Sequence, residues 1–111
     1  MSAYVLMVSH GGFAEGLCDT LHMFAGNSEG IMSIGLRDGE SVERFRLRAQ
    51  TLIAQLDQQD ELLVLADLIG GSPLTTVLDV LQEKGMLTNT AVLGGMNLPM
   101  ALNAVLCKDQ G

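Results

Sequence analysis

The sequence has few aromatic and few basic side chains. Its 111 residues include no Trp, one Tyr and three Phe, and six Lys and Arg stand against thirteen Asp and Glu, giving a formal net charge of −7. With so few cations to bind phosphate, we predict no binding of nucleic acid. The shortage of aromatics predicts an aliphatic core, and the length allows one domain.

Cysteines and long hydrophobic runs are also scarce. Cys18 and Cys107 lie far apart in apolar stretches, match no metal-ligand spacing, and are expected to be buried free thiols. No segment has the pattern of a signal peptide or the length of a membrane span. We therefore expect a cytoplasmic protein that needs no metal or other cofactor.

One short segment concentrates positive charge. The run RFRLR occupies residues 44–48, with an arginine at every second position. On a helix, side chains two residues apart spread around the axis. The pattern favours a solvated helix face, and a docking patch for an acidic partner is the alternative.

Apolar runs alternate with longer segments of helical periodicity along the whole chain. Strands are predicted at Ala3–Ser9, Gly30–Leu36, Glu61–Asp67 and Thr90–Gly95. A helix is predicted after each strand, and the first helix has an apolar face of Phe13, Leu17, Leu21 and Phe24. This alternation predicts an α/β domain with a mainly parallel sheet and helices on both faces.

Residues with helix-capping or helix-breaking preferences set the predicted helix ends. The first helix ends near Gly26-Asn27, and Ser41 is the predicted N-cap of the second. Ser72 is predicted to cap the third helix, with Pro73 in its first turn and Gly85 at its end.

Glycines and polar side chains gather where the predicted strands end. His10-Gly11-Gly12 follows the first strand, Asp67 ends the third, Gly70-Gly71-Ser72 opens the next helix, and Asn97 follows the fourth strand. Open parallel sheets bind ligands at the carboxyl ends of their strands, where the strand order reverses. If the first and third strands are neighbours at that point, His10 and Asp67 face each other across a crevice.

Each of these residues also has a purely structural interpretation. A single His after a strand is commonly a loop residue, Asp67 could cap a turn, and Asn97 could cap a helix. Gly70 and Gly71 could serve only a tight connection. Their coincidence at one edge nevertheless favours an anion site, because glycine-rich turns and helix N-termini expose N–H groups.

A His, an Asp and an anion cradle fit phosphoryl transfer through the histidine itself. An aspartate that accepts one ring N–H fixes the tautomer and leaves the other ring nitrogen nucleophilic. The backbone of Gly11, Gly70 and Gly71 and the Ser72 hydroxyl would hold the phosphoryl oxygens. No Gly-Lys-Ser nucleotide motif or acidic magnesium cluster is present in the sequence.

Three segments together resemble the enzyme IIA domain of the mannose family of the sugar phosphotransferase system (PTS). They are SHGGFAEGL (residues 9–17), DLIGGSP (67–73) and GMNLPM (95–100). The resemblance implies a flavodoxin-like fold, a homodimer, and phosphoryl relay from the phosphocarrier HPr to a histidine of the cognate IIB. It implies contact with the membrane only through IIC and IID.

The resemblance also implies roles for individual residues. His10 matches the phosphorylated histidine, which receives phosphate on the ring nitrogen farther from the backbone, Asp67 matches the orienting carboxylate, and Ser72 matches the loop serine or threonine. The chain departs from many relatives at Ile69, where they carry an aromatic, and at Leu74-Thr75, where they carry an Asn. Family domains continue through another helix and an exchanged strand, which we expect to be absent from this chain.

Three alternatives remain at this point. One is the related phosphocarrier domain of dihydroxyacetone kinase, although that group lacks the GGSP and NLPM signatures. A second is a hydrolase that uses Ser72, His10 and Asp67, although the G-x-S-x-G motif is missing and Ser72 is expected to be engaged in capping. The third is a non-catalytic regulatory module with a ligand crevice.

Overall fold

Parallel strands alternate with helices throughout the part of the chain that the computed structural model describes, residues 2–26 and 29–108. The elements are β1 (Ala3–His10), α1 (Phe13–Ala25), β2 (Ile31–Leu36), α2 (Val42–Ile53), β3 (Glu61–Ala66), α3 (Ser72–Lys84), β4 (Thr90–Leu93) and α4 (Leu98–Cys107). A short 3₁₀ turn, Leu87–Asn89, precedes β4. The predicted strands are all present, and β3 and β4 end one and two residues earlier than predicted.

The strands are ordered β2-β1-β3-β4, and each neighbouring pair is parallel. The chain passes from β1 outward to β2 and then returns across β1 to β3, so the strand order reverses between β1 and β3. Val8 of β1 pairs with Ala66 of β3. This register brings the next residues of the two strand ends to the same edge of the sheet.

Helices cover both faces of the sheet, as predicted. Helices α2 and α3 pack on the face that receives Leu6 and Val8, and α1 and α4 pack on the face that receives Val5 and Met7. The two sets of side chains alternate along β1 because successive strand residues point to opposite faces. The α/β fold class is therefore confirmed, with an aliphatic core that includes one fully buried aromatic ring among the described residues, Phe45.

Some predictions about burial are wrong. Phe13 and Phe24 are 50% and 62% exposed, and Ala14, next to Phe13, takes the buried position at the start of α1. Cys107 is exposed because it ends α4, and Cys18 is half-buried. Burial raises the pKa of the Cys18 thiol.

Helix ends follow local capping chemistry. The Ser41 hydroxyl accepts the Arg44 N–H at 3.1 Å, and Gly85 ends α3 in the left-handed conformation, as predicted. The first helix ends at Ala25, with Gly26 as its C-cap, and Asn27 lies outside the described residues.

The arginines of residues 44–48 are largely neutralised within the chain. Arg46 pairs with Asp79 at 3.2 Å and with Glu83 at 3.5 Å, while Arg48 pairs with Glu40 at 2.6 Å. Two of the three arginines are thus engaged by acidic side chains of the same chain, whereas Arg44 is exposed, as a solvated helix face predicts.

Candidate functional site

The structure brings His10 and Asp67 into direct contact at the carboxyl edge of the sheet. The ring Nδ1 of His10 lies 2.9 Å from Oδ2 of Asp67, and the same oxygen accepts the backbone N–H of His10 at 2.9 Å. Oδ1 of Asp67 accepts the N–H of Leu68 at 2.8 Å. The His10 side chain is 48% exposed and that of Asp67 is 17% exposed. The carboxylate is thus fixed at the base of the site, with the imidazole open to solvent.

The environment of Asp67 keeps its carboxyl ionised. Burial by itself raises the pKa of Asp67, but the hydrogen bonds from the His10 backbone, the His10 ring and the Leu68 N–H bring it below its usual 3.8. An ionised carboxylate is an acceptor only, so Nδ1 must be the donor in the contact. In the neutral imidazole, Nε2 then carries the free lone pair.

Gly71 lies directly against the edge of the ring that carries Nε2. A Cβ atom at Gly71 would be 2.9 Å from Cε1 and 3.5 Å from Nε2 of His10. The backbone of Gly71 has an ordinary extended conformation, φ −84° and ψ 163°, so space and not conformation requires glycine here. The Nε2 edge therefore faces the loop that opens α3.

Helix α3 begins one residue earlier than the predicted cap implies. The N–H of Thr75 donates to the carbonyl of Gly71 at 3.1 Å, so Gly71 is the N-cap and Ser72 is the first helical residue. The prediction that Ser72 caps α3 is therefore wrong. The first N–H groups of a helix have no partner within it, and they attract anions together with the helix dipole. The exposed Ser72 hydroxyl is not engaged in capping and can serve the same anion.

The correction at Ser72 removes one argument against a serine hydrolase. A different argument against the hydrolase takes its place. Within the part of the chain that the structure describes, the Ser72 hydroxyl makes no hydrogen bond to the His10 ring. An activated serine requires such a contact with its base. The geometry therefore favours His10 and not Ser72 as the nucleophile.

Gly11 has a structural contact that its predicted role did not include. Its N–H donates to the carbonyl of Leu36 at 2.7 Å, and its φ of 56° lies in the left-handed region that favours glycine. The prediction that this amide binds phosphate is wrong, because the end of β2 already occupies it. Gly11 turns the chain after His10 and anchors the loop to β2.

Asn97 lies at the same edge but does not contact the pair. Its Oδ1 accepts the N–H of Met100 at 2.8 Å and thereby caps α4. The preceding residue, Met96, donates its N–H to Ala66 at 2.9 Å, which ties this loop to the end of β3 beside Asp67. Asn97 thus supports the loop structure around the site.

Two residues that position the histidine loop were missed in the sequence. The buried Ser9 accepts the Ala14 N–H on its hydroxyl at 2.7 Å and supplies the side-chain acceptor at the start of α1. Gly35 lies in β2, where a Cβ would be 2.0 Å from the Gly11 carbonyl oxygen. A glycine inside a predicted strand often marks a close backbone approach, so a signal for Gly35 was present.

In the described ranges, no three His, Cys, Asp or Glu side chains are grouped so that they could hold a metal ion. None of the helices described combines the length and apolar character that crossing a bilayer requires.

Known proteins with similar sequences belong to the phosphotransferase system. The chain is 28% identical over 109 residues to the PTS system mannose-specific EIIAB component of Escherichia coli (strain K12), covering 98% of this chain and 33% of that protein. The chain therefore spans about a third of the length of that relative.

Solved structures agree with this relationship. The PTS IIA protein associated with the fucose utilization operon from Streptococcus pneumoniae superposes with a TM-score of 0.84 and 29% identity, over 98% of this chain and 80% of that one. The phosphotransferase system component EIIA from Streptococcus agalactiae gives 0.77 and 32%, over 94% and 77%. These similarities fit the flavodoxin-like fold.

The profile of one protein family matches nearly the whole chain, residues 4–111. The match includes β1 with His10, the loop after β3 and the start of α4. The chain belongs to the EIIA-man family, described as the PTS system fructose IIA component.

Proposed function

We propose that the chain is a phosphocarrier of sugar uptake, which accepts a phosphoryl group from phospho-HPr on His10 and passes it to a histidine of the cognate IIB. The observation that carries the proposal is the 2.9 Å contact between Nδ1 of His10 and Asp67, which leaves Nε2 as the nucleophile. The family relationship supports a cytoplasmic domain that acts as a homodimer and meets the membrane only through IIC and IID.

The transfer step needs no metal. The Nε2 lone pair attacks the phosphorus of phospho-HPr, a new N–P bond forms, and the N–P bond to the donor histidine breaks with its electron pair remaining on that nitrogen. The proton on Nδ1 stays between the ring and Asp67. The phosphorylated ring carries positive charge, which the ionised Asp67 stabilises at 2.9 Å. Transfer to IIB reverses the same steps.

The loop that opens α3 supplies the oxyanion contacts. Gly71 is the N-cap of α3 and lies against the Nε2 edge of the ring, Gly70 precedes it, and Ser72 is the first helical residue. The backbone of the two glycines and the Ser72 hydroxyl would hold the phosphoryl oxygens. Donors fixed before the reaction stabilise the charge that develops on transferring oxygens without reorganisation. Gly11 and Asn97 act indirectly by holding the loops in place.

The rim of the site suits docking of a protein. Phe13, Leu68 and Ile69 are 50%, 59% and 65% exposed, and each lies within a few residues of His10 or Asp67 along the chain. Apolar side chains exposed together around a reactive group are typical of an interaction surface. Ile69 packs against Gly94: a Cβ atom at Gly94 would lie 2.5 Å from Cγ1 of Ile69, so the Ile69 side chain can take this position only because residue 94 is a glycine.

Phosphorylation of the intact chain tests the proposal. The protein is incubated with HPr, enzyme I and labelled phosphoenolpyruvate, and we expect an acid-labile, base-stable phosphohistidine that is absent in His10→Ala. His22→Ala is the matched control, because His22 contacts Cys18 and Gly26 on α1, away from Asp67. A wild type that stays unphosphorylated would overturn the proposal.

A second step of the same experiment identifies the acceptor. Labelled protein is mixed with a IIB domain or with a dihydroxyacetone kinase subunit, and we expect loss of label to IIB. Drainage to the kinase subunit alone would instead place the chain with the related kinase phosphocarriers.

A further inference from the structure

The loop that carries His10 rests on the carboxyl end of β2. The Gly11 N–H donates to Leu36 at 2.7 Å, and the Gly11 carbonyl oxygen occupies the space where a side chain at Gly35 would begin, 2.0 Å from the ideal Cβ position. His10 itself pairs with Leu36 in the β1–β2 register. Any displacement of residues 35–36 is therefore transmitted directly to the backbone of the histidine.

A partly buried ion pair holds this end of β2. Nη2 of Arg48 donates to the carbonyl of Gly35 at 2.6 Å, and Nη2 and Nε of the same side chain donate to the two oxygens of Glu40 at 2.6 and 2.8 Å. Oε1 of Glu40 also accepts the N–H of Arg37 at 3.0 Å. The pair thus holds the backbone on either side of Leu36: Arg48 binds the carbonyl of Gly35, and Glu40 binds the N–H of Arg37.

The pair is itself firmly placed. The Glu40 side chain is 5% exposed, and the Arg48 guanidinium lies 5.6 Å from the centroid of the buried Phe45 ring. Two donors of a planar guanidinium on two carboxylate oxygens fix orientation as well as distance. β2 is an edge strand of the described sheet, with β1 on one side only. Arg48 therefore provides a hydrogen-bond donor for the Gly35 carbonyl on the side where the described sheet has no further strand.

We infer that Arg48 and Glu40 are positioning residues for phosphoryl transfer: they hold Gly35 and Leu36 so that Gly11 sets the His10 ring at the correct distance from Asp67 and the α3 loop. Neither residue contacts the ring, so they act only through the backbone of β2. The inference rests on the proposed function of His10. It predicts that loosening this pair slows transfer even when the protein remains folded.

The test compares two arginines of the same helix. Arg48→Met removes the clamp, and Arg46→Met removes a comparable arginine that pairs with Asp79 and Glu83 of α3 instead. The donor is phosphoramidate, a small nitrogen-linked phosphoryl donor that needs no protein docking. We expect Arg48→Met to slow phosphorylation of His10 by about tenfold, since small misplacements of reacting groups have effects of this size or more. Arg46→Met should stay within about twofold of the wild type.

Two further variants guard against simple unfolding of Arg48→Met. Glu40→Gln keeps an acceptor for Arg37 but weakens the pairing with Arg48. Gly35→Ala keeps both charged side chains and places a methyl group against the Gly11 carbonyl. Both should slow phosphorylation in the same direction, with circular dichroism unchanged. Folded variants with wild-type rates, or equal slowing in Arg46→Met, would overturn the inference.

A second readout separates this inference from the proposed function. The ¹⁵N signals of the His10 ring report its hydrogen bond to Asp67 without any phosphate. They should shift in Arg48→Met and stay unchanged in Arg46→Met. If the wild type takes up no phosphate, the proposed function fails, but the ring signals still decide the positioning claim: a ring undisturbed by Arg48→Met would contradict it.

Discussion

Oδ2 of Asp67 accepts two hydrogen bonds from His10, one from the backbone N–H and one from the ring Nδ1, each at 2.9 Å. A single carboxylate oxygen therefore fixes both the position of the residue and the orientation of its ring. The contact forms because β1 and β3 are neighbours at the point where strand order reverses. The phosphocarrier proposal depends on this relationship.

Asp67→Asn should slow phosphorylation of His10 on the order of 100-fold or more, since the same change at the tautomer-fixing carboxylate of a Ser-His-Asp triad costs about 10⁴-fold. Three N–H groups point at the two oxygens of Asp67, and an asparagine offers only one oxygen. At least one N–H then faces an amide NH₂, and the ring is free to adopt the tautomer with a proton on Nε2.

Rapid-quench phosphorylation and ¹⁵N spectra of the ring measure the two effects of Asp67→Asn. Asp79→Asn is the control, because Asp79 is exposed on α3 and pairs with Arg46. A wild-type rate in Asp67→Asn would show that the carboxylate does not orient the nucleophile.

Gly71→Ala should slow transfer by about tenfold or more, because its methyl group would lie 2.9 Å from Cε1 of His10 and turn the ring. The backbone of Gly71 is extended, so the free energy of unfolding should change little. Gly12→Ala is the matched control: it follows the same histidine, and nothing lies within 4 Å of its Cβ position. Equal rates for the two variants would refute a close approach of Gly71 to the ring.

The stabilisation that the ionised Glu40 contributes to the folded protein should be lost in acid. The hydrogen bond from Arg48 holds the pKa of Glu40 at about 2, below its usual 4.5. A group whose pKa is lower in the folded state stabilises the protein above its unfolded pKa, and this contribution is lost as pH falls through the folded value. We expect the difference in free energy of unfolding between wild type and Glu40→Gln to shrink as pH falls from about 4.5 toward 2.

Urea unfolding at a series of pH values measures that difference. If it stays constant across the window, Glu40 is not ionised and paired in the folded protein as the structure has it.

The sequence was sufficient to predict the helices and strands and to place the site at the carboxyl edge of the sheet. Apolar runs predict strands, helical periodicity predicts the crossovers, and parallel strands necessarily gather their carboxyl ends at one edge. Strand order was not predictable, because four apolar strands carry no mark of which neighbours they bond. The contact between His10 and Asp67 could therefore be stated only as a condition.

The errors at the site concern contacts that exist only in the folded chain. Gly71 and Ser72 are both good N-cap types, and the choice depends on which carbonyl accepts the first helical bond. The Gly11 amide was assigned to phosphate because its bond to Leu36 exists only once β2 lies beside β1. Arg48 and Glu40 were missed because an ion pair that works through strand backbone has no characteristic spacing.

Phosphoryl transfer from HPr should slow as ionic strength rises. The chain carries a net charge of −7, and the resemblance implies that HPr docks through a positive surface, so salt screens an attraction that speeds encounter. Stopped-flow transfer over a range of salt concentrations measures this. Phosphoramidate, an anion, is the control and should not slow with salt. A flat profile with HPr would contradict electrostatic steering.

The position of the phosphoryl group on the ring tests the central claim most directly. The protein is labelled with ¹⁵N in its histidine rings, phosphorylated, and examined by ³¹P–¹⁵N coupling in nuclear magnetic resonance. With Nδ1 bonded to Asp67 at 2.9 Å, we predict that phosphorus is bonded to Nε2 of His10. Phosphorus on Nδ1, or on any residue other than His10, would contradict the account.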